Sequence, residues 1–90
     1  MKISYAITVC NELKEITILL NFLLDNRRPE DEIVVLFDKS KGTAEVWNRI
    51  LELKDEPNTK YVAATFKHHF ADWKNQLSEM CSGDYIFQID

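Results

Sequence analysis

Four short apolar runs, separated by three stretches of helical periodicity, govern what this chain can fold into. The runs are residues 3–10 (ISYAITVC), Glu32–Asp38 (EIVVLFD), residues 60–66 (KYVAATF) and Tyr85–Ile89 (YIFQI). They are rich in β-branched and aromatic residues and nearly unbroken in apolar character, as strands buried in a parallel sheet require. Between the first two, Leu13, Ile16, Leu20, Leu23 and Leu24 recur at helical spacing and form one wide apolar face. Asn11 is the predicted N-cap, Glu12 falls in the first turn, and Pro29 ends the helix by disfavouring helical geometry at Arg28. Thr43 is expected to cap a second helix, with Val46, Ile50 and Leu53 facing inward and Trp47 beside them. Phe70, Trp73, Leu77, Met80 and Cys81 mark a third, which Gly83 is expected to stop by taking the left-handed conformation.

The β-α-β-α-β-α-β order implies an α/β domain spanning residues 1–90, with an open, four-stranded parallel sheet and right-handed crossovers. In such a sheet all carboxyl ends lie on one edge, where ligands of open α/β folds bind. That rim is predicted to gather Cys10, Asn11 and Glu12, Asp38, the Lys67-His68-His69 loop and Asp90. Four separate regions converge there for topological reasons alone.

Bulk properties narrow the partners. A net charge of −4, with no basic cluster beyond Arg27-Arg28, argues against nucleic acid. The acidic rim also means that a pyrophosphate would need a divalent cation to screen it. Cys10 and Cys81 show neither metal-site nor disulfide-scaffold spacing, so both are expected as reduced thiols in a cytoplasmic chain. The longest apolar run, residues 16–24, is interrupted by Thr17 and Asn21 and is too short to span a bilayer. No export signal is evident.

Each candidate has a plain structural reading beside its functional one. Asp38 could accept a hydrogen bond from a uracil imide or a ribose hydroxyl, or simply open a turn. Asp90 could position a ribose or contact a metal-bound pyrophosphate, but a hard cation usually needs more than one such oxygen. Lys74 and Asn75, near the start of the third helix, suit a phosphate or base; the solvated helix face is the plainer reading. Adjacent His68 and His69 lack partners at a recognisable zinc spacing and read as a loop pair. Glu12 and Cys10, taken singly, read as a first-turn anion and an ordinary thiol. With only Gly42 and Gly83 in the chain, no phosphate-cradling glycine loop exists.

Together the pieces resemble the front half of family 2 glycosyltransferases of the GT-A fold. The resemblance covers nearly the whole chain. It rests on a strand followed by Asn11-Glu12, Asp38 followed by Ser40 and Gly42-Thr43-Ala44-Glu45, the segment from Phe70 through Ala71, Asp72, Trp73 and Lys74 to Asn75, and the closing Ser82-Gly83-Asp84 and Tyr85–Ile89 with Asp90. It implies that Asp38 is the uracil-binding carboxylate, that Lys74 stands where a basic residue reaches the nucleotide, and that Val9, Cys10 and Glu12 line the same site. It makes Asp90 the first acid of the DxD motif, whose later acid holds a divalent cation (Mn or Mg) on the sugar diphosphate. That acid, the general base and the acceptor site are expected beyond this chain, which is expected to carry no catalytic residue and to transfer no sugar alone. The implied whole is an inverting, hexosyltransferase-like enzyme using a UDP-sugar for bacterial surface polysaccharide, cytoplasmic or membrane-associated.

Three departures from the family pattern stand out. Thr8-Val9-Cys10 replaces a Pro-Thr-Tyr type of ending whose ring stacks on the base. The loop after Asp38 carries Lys39 and Lys41. Lys74 replaces an Arg and gives up its planar fork. The alternatives are a stand-alone flavodoxin-like binding module, which predicts a fifth strand or a covered sheet edge, and a protein-interaction domain with a merely solvated rim. An open fourth-strand edge predicts dimerisation or strand exchange, which a monodisperse monomer in light scattering at high concentration would contradict.

Overall fold

The computed structural model describes residues 1–66 and 70–89, the side chain of Phe70 excepted. The Lys67-His68-His69 loop and Asp90 therefore lie outside the described residues. Strands β1 (Ile3–Val9), β2 (Glu32–Asp38), β3 (Thr59–Ala64) and β4 (Tyr85–Ile89) alternate with helices α1 (Leu13–Asn26), α2 (Ala44–Leu51) and α3 (Phe70–Met80). A short 3-10 turn, Glu52–Asp55, extends α2. All strand pairs are parallel and the order is β3-β2-β1-β4. The chain thus steps outward from β1 to β3, then returns through α3 to the other side of β1. That reversal between β1 and β4 is the topological switch point at which such sheets open a crevice.

Period-two alternation sorts the strand residues onto two faces. Ile7, Val9, Ile33, Val35 and Phe37 meet Ile16, Leu20 and Leu23 of α1 and Val46 and Ile50 of α2. Ala6, Val34 and Leu36 meet Trp73 and Leu77 of α3 on the opposite face. β2 is buried on both faces, which explains its unbroken apolar sequence. Trp47 seals the end of the first layer, stacked on Phe37 at 5.2 Å and meeting Tyr61 edge-on at 6.0 Å. β4 is an edge strand, with Tyr85 and Phe87 each 61% exposed.

Several boundaries differ from expectation for identifiable reasons. The N-cap of α1 is Glu12, not Asn11, and Glu12 caps no helical N–H. Its carboxylate turns back and accepts from the backbone N–H groups of Cys10 and Asn11 at 3.0 and 2.8 Å. α1 stops at Asn26, two residues short of the position that Pro29 restricts. Extended Arg27 sends its guanidinium to the carbonyls of Pro57 and Asn58, tying that corner to the start of β3. Thr43 does cap α2, its hydroxyl accepting from the Val46 N–H at 3.4 Å.

Gly83 corrects a further expectation: no described glycine has positive φ, and α3 has already ended at Met80. The need for glycine there is steric. A Cβ on Gly83 would lie 2.6 Å from Ser4 Oγ and 2.8 Å from Ser4 N, because the chain enters β4 pressed against β1. Gly42 is likewise fixed by crowding, since a Cβ would strike the Phe37 ring and lie 2.6 Å from the Asp38 carbonyl oxygen.

At the amino edge of the sheet sit two buried carboxylates. Glu32 accepts from Ser4 Oγ and Ser82 N, both at 2.6 Å, and from Ser82 Oγ at 3.0 Å; Lys60 and Lys2 approach at 3.3 and 3.6 Å. Burial alone would raise its pKa, but these partners outweigh it and hold the group at about 2. Asp31 is held at about 2 chiefly by the Arg28 guanidinium, against the effect of burial and with help from the Ile3 N–H. This edge is a clamp joining the beginnings of all four strands.

Candidate functional site

The opposite, carboxyl edge is open. A cleft of about 370 Å³ lies there, lined by Thr8, Val9, Cys10, Glu12, Asp38, Lys41, Phe66 and Trp73. β1 and β2 run parallel in register to their ends, with Val9 opposite Phe37. This brings the end of β1 and Asp38 to the same level without any loop having to reach across.

Asp38 is the best-defined group in the cleft. Its Oδ1 accepts from Ser40 N at 3.0 Å, Ser40 Oγ at 2.5 Å and Phe66 N at 3.2 Å. Among the described residues all three bonds converge on this one oxygen, leaving Oδ2 for other donors. Partial burial pushes the pKa upward, but the two Ser40 bonds, the Phe66 N–H and the nearby Lys41 charge bring it below the usual range. The carboxylate is therefore ionised at neutral pH, with its orientation fixed from both the β2 and β3 sides.

Glu12 and Cys10 form the next wall. Glu12 Oε1 takes the Cys10 and Asn11 N–H groups and the Cys10 thiol, the last at 3.3 Å. Desolvation opposes ionisation here too, and those donors outweigh it, so the pKa of Glu12 is lowered. The Cys10 thiol is shifted the other way, upward, first by burial and then by its bond to Glu12. Cys10 is thus a neutral thiol at pH 7, which suits a cleft wall and not a nucleophile.

The third wall is aromatic. Phe66 meets Trp73 edge-on, with ring centroids 5.4 Å apart and planes at 88°. Trp73 is 7% exposed and belongs to the α3 core layer. Lys41, exposed on the loop after Asp38, is the cation among the described lining residues.

The structure therefore brings Val9, Cys10, Glu12 and Asp38 together as the sequence predicts. Lys74 lies on α3, half-buried, one residue past Trp73, and is not among the described residues lining the cleft. Asp90 lies outside the described residues, so its place at the rim is not seen. Thr8, Phe66 and Trp73 were not singled out as site residues from sequence. The signal for Phe66 was present, since it ends the third apolar run and so falls at the carboxyl edge. Trp73 was hidden by its place in the helical stripe, which reads as core and is core.

Among the described residues no three His, Cys, Asp or Glu side chains are grouped as a metal ion needs, and Glu12 and Asp38 are each engaged by backbone donors. The described side chains alone do not fit a divalent cation. No helix among them is long and apolar enough to cross a membrane.

No curated protein matches the chain. The family model described as glycosyl transferase family 2 matches residues 4–90, which includes every described wall of the cleft. An open parallel sheet with its switch point beside β1, and a cleft at the carboxyl edge built around an ionised Asp38, is an architecture suited to a nucleotide-sugar donor. The chain belongs to glycosyl transferase family 2.

Proposed function

We propose that the cleft binds the nucleoside diphosphate of a sugar donor, a UDP-sugar in the first place, with Asp38 reading the base. The observation that carries this reading is the division of labour on Asp38, where Oδ1 is occupied by protein donors and Oδ2, among the described residues, is left for a ligand. A fixed, ionised acceptor matches the imide N–H of uracil, and a donor to a charged acceptor makes one of the stronger hydrogen bonds. Val9 and Cys10 give the base an apolar wall. Glu12, tied to the backbone of Cys10 and Asn11, holds the β1–α1 turn in shape. Lys74 and Asp90 are proposed to serve the ribose and diphosphate.

The enzyme would be an inverting hexosyltransferase of bacterial surface polysaccharide assembly. Its divalent cation would fall to carboxylates outside the described residues, Asp90 foremost. The acceptor hydroxyl would be activated by a base outside the described residues.

Calorimetric titration of the protein with UDP, with and without Mn²⁺, tests the reading. We expect saturable UDP binding that tightens with Mn²⁺. Absence of binding under both conditions by a protein whose circular dichroism is that of a folded α/β domain would favour an interaction module instead.

A further inference from the structure

We propose that this chain forms a two-fold dimer in which the outer face of α1 in each copy docks over β4 of the other. The proposal goes beyond the donor cleft and does not depend on what binds there.

The sheet supplies one half of the contact. β4 pairs with β1 in register, Tyr85 beside Ile3 and Phe87 beside Tyr5, so both rings stand on the face that carries α1 and α2. α3 packs on the opposite face. α2 lies on the side of α1 away from β4, with Trp47 against Tyr61 of β3 and Arg49 Nη2 donating to Asn21 Oδ1 at 2.7 Å. The flank of α1 above β4 is therefore a slot that no described helix fills. Tyr85 and Phe87 each remain 61% exposed there, and Phe87 meets the Tyr5 ring at 6.2 Å.

The helix supplies the other half. Ile16, Leu20 and Leu23 turn toward the sheet, while Ile18 and Phe22, one turn apart on the outward side, are each 60% exposed. A helix facing only water carries polar residues at such positions. A two-fold axis parallel to the sheet lays α1 of one copy in the slot of the other, bringing Ile18 and Phe22 onto the second copy's Tyr85 and Phe87. The reciprocal contact follows by symmetry. The contact is thus by faces and not through the open strand edge.

Charge and area both fit a second copy. The chain carries −4, so its copies associate best where like charges do not meet; Ile18, Phe22 and residues 85–89 carry none. The other edge strand, β3, carries Lys60, a charge of the kind that discourages association at an edge. With aromatic side chains of roughly 200 Å² each, the exposed parts of Phe22, Tyr85 and Phe87 amount to about 350 Å² per copy. Ile18 and the surrounding surface bring the dimer to a total on the order of 1,000 Å², the lower end of specific interfaces. A dissociation constant on the order of 10–100 μM is expected for an interface of that size.

Sedimentation equilibrium across the micromolar range tests this on the wild type, Phe22→Glu, Phe87→Glu, Phe22→Lys and the control Val62→Glu, each first checked for a cooperative thermal transition. Val62 is exposed on β3, away from both patches. We expect a reversible wild-type dimer, weakened at least about tenfold in Phe22→Glu and Phe87→Glu and unchanged in Val62→Glu. Mixing Phe22→Lys with Phe87→Glu should restore a dimer that neither forms alone, because one of its two contacts is wild type and the other pairs opposite charges. A wild type that stays monomeric throughout that range overturns the proposal, whether its patch then meets another protein or a membrane. A dimer that Phe22→Glu leaves intact overturns it too, since pairing through the strand edge alone would not involve α1.

Discussion

Replacing Glu32 by Ala is expected to destabilise the fold by about 3 kcal/mol, the cost of breaking a buried, hydrogen-bonded charge cluster from one side. For a domain this small that is a large share of a total of roughly 5–10 kcal/mol. The reason is connectivity. Glu32 begins β2, yet its oxygens hold Ser4 of β1, Lys60 of β3 and Ser82 just before β4. Truncation leaves the Ser82 N–H and the Ser4 hydroxyl without their acceptor at the point where β4 docks. Ser4 Oγ in turn accepts from Gly83 N at 2.8 Å, so the damage spreads along the β1–β4 seam. Urea unfolding followed by circular dichroism would show the midpoint falling with little change in slope. A midpoint within experimental error of the wild type would refute the clamp.

The same cluster sets the response to acid. The folded pKa values of Glu32 and Asp31 are depressed to about 2, below the ordinary carboxylate values of about 4. A depressed carboxylate contributes its full stability above the unfolded pKa and loses it as pH falls toward the folded one. Stability from these two groups should be level at neutral pH and decline between about pH 4.5 and 2. Glu32→Gln should flatten part of that decline while lowering stability at pH 7. A wild-type melting temperature independent of pH across this window would contradict the assignment.

The largest expected effect on function comes from Asp38→Asn. The substitution keeps an oxygen for Ser40 and Phe66, so the loop should hold its shape. It replaces the outward oxygen by an amide NH₂, which confronts the imide N–H of uracil with another donor. Loss of a charge-assisted bond and creation of a donor–donor clash should together weaken UDP by roughly 30- to 100-fold. Cytosine presents an acceptor where uracil presents that N–H, so CDP should lose far less and the preference for UDP over CDP should shrink or reverse. Competitive titration of the two nucleotides measures this directly. Equal losses for both would place Asp38 on the ribose instead of the base edge.

The carboxyl edge was legible in the sequence because topology alone determines it. Four apolar runs in β-α alternation put Cys10, Glu12 and Asp38 on one rim whatever their individual propensities, and the described residues bear this out. The amino edge was not legible. Glu32 opens the second apolar run with Asp31 just before it, and the partners that hold Glu32, Ser4 and Ser82, lie 28 and 50 positions away, where no local pattern reveals them. Gly83 shows the same limit: its sequence context suggests a helix stop, and the true constraint is Ser4, 79 positions away. Local chemistry also overrode one propensity. Asn11 is the better N-cap by type, but the Glu12 carboxylate folds back on the Cys10 and Asn11 amides and takes the cap position itself. Trp73 serves the core and the cleft together, a double duty that helical spacing cannot disclose.

The most direct measurement is a titration of ¹⁵N-labelled protein with UDP and Mg²⁺, followed by amide chemical shifts. Mg²⁺ is chosen here because Mn²⁺ would broaden the signals. A nucleotide in the carboxyl-edge cleft should move the amides of Cys10, Asn11, Ser40 and Phe66, which touch Glu12 or Asp38. The amides of Ile3, Ser82 and Gly83, bound to the amino-edge clamp, should stay in place. Saturating shifts confined to the first group are the predicted result. Shifts centred on the second group, or no shifts at millimolar UDP, would contradict the assignment of this rim as the donor site.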